Sequence, residues 1–259
     1  MDLGLRGKTA IVCASSHGLA RACAEALAEA GCDLVLNGRE DSALAATAAA
    51  IRDGHGVRVE TVAGDIGDAG VQAALVEAAG TPDILVNNNG GPPLRDFRQV
   101  DAEALRQGVE ANMAAPIAMV QRVIDGMIER RFGRVICITS ASIKAPVAGL
   151  DLSSGARLGL TGFLAGVARQ VAHANVTINF LCPGLFATRR LEGVHAFAAK
   201  AQGVDADEAE RRSRERIPAK RFGDPAEFGA ACAFLCSAQA GYITGQSLLL
   251  DGGAYPGVL

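Results

Sequence analysis

The 259-residue sequence predicts an α/β fold: a doubly wound parallel sheet of seven strands with helices on both faces, in a single domain spanning residues 1–259. Three observations carry this expectation. Short β-branched runs alternate with longer Ala-rich helical stretches, the pattern of a parallel sheet covered on both sides. Apolar residues make up 49% of the chain, enough for one substantial core at this length. No fixed-period repeat, low-complexity tract or linker divides the chain.

The strands are expected in order at residues 9–14 (TAIVCA), 33–37 (DLVLN), 57–62 (VRVETV), 83–88 (DILVNN), 133–140 (GRVICITS), 176–182 (VTINFLC) and 246–252 (QSLLLDG). Amphipathic helices such as LARACAEALAEAG and VQAALVEAAG fill the intervals, and several close on glycine, as at Gly31 and Gly80. Residues 185–224 break the alternation with a charged, helix-prone excursion between the sixth strand and the last helix. Long excursions at the C-terminal edge of a parallel sheet cover the ligand crevice, so this one is read as an insertion over the substrate. A solvated pair of surface helices is the alternative.

Composition excludes several function classes. A formal charge of −3, with basic residues spread along the chain, gives no electrostatic footprint for nucleic acid or an anionic membrane. No apolar run approaches the roughly 18 residues of a membrane span, and MDLGLRGKTAIV lacks a signal-peptide plan. A soluble cytoplasmic protein is expected. The seven cysteines show no paired metal-ligand spacing and are read as core thiols.

The first strand runs into Cys13-Ala14-Ser15-Ser16-His17-Gly18-Leu19-Ala20 and then a helix. A small-residue turn at such a junction lets backbone N–H groups and the helix N-terminus face a pyrophosphate, which makes Ala14, Ser16, His17, Gly18 and Leu19 candidate cofactor contacts. The second strand ends in Asn37-Gly38-Arg39, without the carboxylate that holds a ribose 2′-hydroxyl. Arg39 can pair with a 2′-phosphate, so NADP(H) is expected in preference to NAD(H). An unliganded surface Arg39 is the alternative. The third and fourth strands end in Gly64-Asp65-Ile66 and Asn87-Asn88-Asn89-Gly90 at the same edge.

On these residues the chain resembles the short-chain dehydrogenase/reductase family over essentially its whole length. It is most similar to the single-domain group labelled 3-oxoacyl-acyl-carrier-protein reductases. The family's Thr-Gly-x-x-x-Gly-x-Gly turn falls on residues 13–20, with Cys13, Ala14 and Ala20 as departures, and its Asn-Asn-Ala-Gly falls on Asn87 to Gly90. The resemblance implies a Rossmann-type fold. It also implies adenine contacts at Asp65 and Ile66, further cofactor contacts at Asn88, Gly90, Pro183 and Gly184, and a nicotinamide-amide contact at Thr188. Asn112 matches the family's proton-relay asparagine, and the ending GQSLLLDGG is characteristic.

The family's chemistry is hydride transfer at the nicotinamide with Ser, Tyr and Lys around the substrate oxygen. Ser140 fits the serine, which puts Ser153 at the tyrosine position and Arg157 at the lysine position. No Tyr-x-x-x-Lys exists elsewhere, since Tyr242 and Tyr255 are the only tyrosines. A serine hydroxyl is too weak an acid to replace a tuned phenol. Ser153 or Ser154 can instead cap a helix. Arg157 offers a rigid, charged fork suited to ribose hydroxyls or a developing oxyanion, with a plain surface charge as the alternative. Water held by Ser140, Asn112 and Arg157, or the loop residue Lys144, is left to deliver the proton.

The leading expectation is therefore an NADP(H)-dependent oxidoreductase acting on a small carbonyl or alcohol, with altered proton delivery. Two other readings stay open: a lyase or isomerase with structural NADP, and a silent dinucleotide-binding sensor or scaffold. No metal is expected. A homotetramer, or failing that a dimer, is expected from the resemblance, the apolar last helix FGAACAFLCS and the terminal segment Tyr255 to Leu259.

Overall fold

The structure is a computed structural model describing residues 2–92 and 94–257. Its strands are β1 (Thr9–Val12), β2 (Asp33–Gly38), β3 (Val59–Ala63), β4 (Ile84–Asn87), β5 (Gly133–Ile138), β6 (Val176–Pro183) and β7 (Ser247–Leu250). They form one seven-stranded sheet in the order β3-β2-β1-β4-β5-β6-β7, every pair parallel. The winding reverses between β1 and β4, which opens a crevice beyond their C-terminal ends.

The alternation of apolar runs and helices resolves into two cores, one on each face of the sheet. On one side Leu27, Leu36, Leu44, Phe228 and Cys232 pack around α1 (Gly18–Glu29), α2 (Asp41–His55) and α9 (Pro225–Cys236). On the other, Leu75, Met119, Val123, Leu164 and Phe180 join α3 (Ala69–Ala79), α5 (Ala115–Glu129) and α6 (Asp151–Val171) to the sheet. Gly31 and Gly80 lie just past the ends of α1 and α3 in positive-φ conformations, as their sequence positions predict.

Buried Arg134 was not anticipated. Its guanidinium donates to the carbonyls of Gly133, Asn175 and Ser237, tying the starts of β5 and β6 to the end of α9. All seven cysteines are buried and free, and burial pushes Cys13, Cys32 and Cys137 up to about 12, which keeps them neutral.

The last helix corrects one expectation. Phe228, Cys232, Ala233, Leu235 and Cys236 of α9 are buried, the helix packs on α1, and only Phe234 among its large apolar residues is exposed. Its apolarity thus serves the chain's own core. The exposed large apolar residues include Leu105 and Val109 on α4 (Ala102–Val109) and Leu158 and Phe163 on α6. Val258 and Leu259 of the terminal segment lie outside the described residues. The excursion after β6 folds into α7 (Arg189–Gln202) and α8 (Ala206–Arg216).

Candidate active site

The turn between β1 and α1 is built to leave N–H groups free. Gly18 has φ +64°, and Ala14 holds a left-handed φ of +48°, a conformation costing a residue with a Cβ about 1–2 kcal/mol. Asn37 secures that strained residue. Its Oδ1 accepts the Ala14 N–H at 3.1 Å while its Nδ2 donates to the carbonyls of Val62 and Gly64. Asn37 therefore points into the fold, and Gly38-Arg39 is the part of the strand end left beside the crevice, with Arg39 exposed.

His17 precedes α1 without a side-chain cap bond, and no acidic residue lies in the first turn. The helix's leading N–H groups keep their capacity for an anion. Ser16 Oγ is buried without a protein partner. These features fit a dinucleotide phosphate at the turn, with Leu19 packed on the core below. Ile66 is buried and its carbonyl accepts from Gln72, whereas Asp65 is exposed and its carboxylate accepts the Gly67 N–H.

Across the crevice, Asn88 Nδ2 donates to the Ala14 carbonyl at 3.3 Å, which ties the end of β4 to the β1 turn. Exposed Gly90 follows, its N–H donating to Asn89 Oδ1. After Pro183, the Gly184 N–H donates to the Leu250 carbonyl and directs the chain over the sheet edge. Thr188 comes to face the β1 turn: a Cβ on Gly18 would lie 3.9 Å from its Cγ2.

The π turn that carries Asn112 and the short turn after Ser140 both pack against α6, the helix of Ser153 and Arg157. Asn112 sits in a π turn, Glu110–Ala114, between α4 and α5. It is only 2% exposed, and neither side-chain amide atom has a protein partner. Such π turns recur at functional sites, and two unmet amide groups are a costly arrangement that a water or ligand oxygen relieves. Ser140 lies two residues past β5, and its Oγ accepts the Ser142 N–H. Lys144 follows as an exposed residue at the end of the short turn Ala141–Ile143.

Two alternatives for residues 153–157 are overturned. Helix α6 begins at Asp151 with Leu150 before it and no side-chain cap, so neither Ser153 nor Ser154 caps it. Arg157 is 8% exposed, not a surface charge. Its Nε donates to Ser153 Oγ at 3.1 Å, Nη1 to the Ile138 carbonyl at 2.6 Å and Nη2 to the Asn89 carbonyl at 3.2 Å. Three of five N–H donors are thereby committed, and two remain. Burial, reinforced by the like charge of Arg190, pulls the guanidinium down to about 10, so it stays charged at neutral pH.

A doubly wound parallel sheet with a small-residue turn at its switch point is the architecture of nucleotide-binding α/β proteins. Residues 13–255 match the family profile described as Enoyl-(Acyl carrier protein) reductase. A 3-oxoacyl-acyl-carrier-protein reductase of Vibrio cholerae is 32% identical over 98% of this chain and 99% of its own length. The NADPH-dependent reductase BacG of Bacillus subtilis is 31% identical over 95% of this chain and 97% of its own. The crystal structure of L-sorbose reductase from Gluconobacter frateurii, complexed with NADPH and L-sorbose, superposes with a TM-score of 0.92 at 29% identity, covering 98% of each chain. The chain belongs to the short-chain dehydrogenase/reductase family of oxidoreductases.

Proposed function

We propose that the protein is an NADP(H)-dependent oxidoreductase that reduces a small carbonyl or oxidises the matching alcohol, with its proton delivered by water rather than by a phenol. The observation that supports this reading is buried Asn112, with both amide atoms unmet, in a π turn packed against the helix that holds the Ser153–Arg157 pair. When bound, reduced nicotinamide supplies the hydride. Ser140 donates its hydroxyl hydrogen to the substrate oxygen, and the free N–H groups of Arg157 hold ribose hydroxyls and stabilise charge growing on that oxygen. Asn112 and Ser140 hold the water that returns a proton to it. Ser153 touches none of the reacting atoms and acts as a positioning residue, its oxygen fixing the Nε side of Arg157.

Arg39, exposed and free of ion pairs among the described residues, is assigned to the 2′-phosphate, together with the neighbouring uncapped turn at Ser16 and His17. Two charge-assisted bonds to phosphate are worth roughly 3 kcal/mol or more, about a hundredfold in affinity. Fluorescence titration is expected to show NADPH binding far more tightly than NADH, and Arg39→Ala removing most of that difference. Equal affinities in the wild type would contradict the assignment. For assembly we propose a homotetramer or a dimer formed through the exposed apolar residues of α4 and α6. Light scattering at micromolar concentration should return a mass above the monomer, and a monomeric mass would refute it.

A further inference from the structure

The oxidoreductase reading leaves one charged group at the crevice unexplained. Arg190 is the second residue of α7, two positions after Thr188, the residue that faces the β1 turn. Its guanidinium packs over the backbone of Gly91: a methyl group added there would meet Nη2 at 2.7 Å and Nη1 at 3.0 Å. A side chain at position 91 would push the guanidinium aside. Arg157 bonds the carbonyl of Asn89 in the same loop, so both guanidinium groups reach residues 89–91.

Neither cation has a carboxylate within 4.0 Å among the described residues, and Arg190 has no hydrogen-bond partner there either. The contrast with the next helix is sharp. Arg211, Arg212 and Arg214 of α8 are each paired with a glutamate on that helix. Arg190, an exposed residue, is thus unneutralised near the buried cation Arg157, an arrangement whose repulsion an anion between them relieves. Thr188 gives α7 no side-chain cap, so the helix's free N–H groups add to the attraction for negative charge.

Resting on the oxidoreductase reading, we infer that Arg190 receives a carboxylate carried by the substrate, which makes the substrate class an oxo acid or the corresponding hydroxy acid. The carboxylate is held by Arg190, and Arg157, whose two remaining N–H groups serve ribose and the reacting oxygen, adds only the attraction of its charge. An oxyanion on the cofactor's diphosphate shares this chemistry, and the experiment separates the two sources.

Calorimetric titration of malonate, an unreactive dicarboxylate, into the NADP-saturated protein reads the site without turnover. Malonate is expected to bind the wild type, to bind Arg190→Ala about 10- to 100-fold more weakly, and to recover in part with Arg190→Lys. NADPH affinity should change by less than about threefold in both variants. Among matched acid and methyl ester carbonyl pairs, the wild type should favour the acid through KM, and Arg190→Ala should lose that preference. No malonate binding by the wild type, or equal binding by wild type and Arg190→Ala, would overturn the inference. So would a loss that falls on NADPH instead, which would assign Arg190 to the diphosphate. Failure of the oxidoreductase reading would show separately, as no reduction of any carbonyl while the malonate titration still responds to Arg190.

Discussion

Replacing Arg157 by alanine is expected to lower the melting temperature by roughly 5–15 °C and to abolish both tight NADPH binding and turnover. The physical reason lies in three hydrogen bonds. Without the guanidinium, the carbonyls of Ile138 and Asn89 and the Ser153 oxygen lose their donor inside the fold. Each buried orphan costs about 1–3 kcal/mol, which outweighs the relief of removing a desolvated cation that faces Arg190. The end of β5 and the loop after β4 then lose their common clamp. Arg157→Lys keeps a charge but cannot reach three acceptors in one plane, so it should fall between the wild type and the alanine variant. Thermal melts and a fluorescence titration run well below the transition separate stability from binding. A variant with an unchanged melt and unchanged NADPH affinity would exclude Arg157 from both roles.

The double change Ser153→Tyr with Arg157→Lys has an effect of opposite sign. It installs the phenol and ammonium that the family places four residues apart on this helix, and a positioned general acid is worth about 10² to 10⁴ in rate. The lost fork offsets part of that gain, because lysine cannot reproduce the bonds to Ile138 and Asn89. We expect reduction of an activated ketone to rise about tenfold over the wild type, with NADPH affinity retained within about tenfold. Steady-state kinetics with saturating NADPH would show it. A double variant with no gain, although folded and loaded with cofactor, would mean that the proton already travels by a route as good as the phenol's.

Much of the fold was legible because strand and turn signals are local. Runs such as DLVLN and GRVICITS mark buried parallel strands without reference to any partner, and their predicted bounds depart from the observed ones by a few residues at most. The departures occur where backbone geometry changes first: β1 ends at Val12 because Ala14 turns left-handed. Site residues with long-range duties were harder to read. Asn37 occupies the strand end expected to face ribose, yet its amide is taken by Ala14, Val62 and Gly64, bonds that only the folded sheet brings together. For Arg157 the sequence offers ribose hydroxyls or an oxyanion, with a surface charge as the alternative, and hides its bonds to Ile138 and Asn89, which are distant in sequence. For α9, apolarity alone does not distinguish a partner from the chain's own α1. Arg190 carried no motif, and the signal that could have found it was Gly91 beside Gly90, a bare backbone that leaves room for a guanidinium.

The central claim is that the hydroxyl at position 153 positions Arg157 and carries no proton. Its most direct test is the turnover of Ser153→Ala against the wild type, on one carbonyl substrate with saturating NADPH, followed across about pH 6 to 9. Losing one hydrogen bond to a guanidinium that keeps its two carbonyl partners predicts a fall in kcat within about tenfold and a pH profile of unchanged shape. A fall of about a thousandfold, or the loss of a pH-dependent limb, would show that the chemistry passes through this serine and would contradict the account.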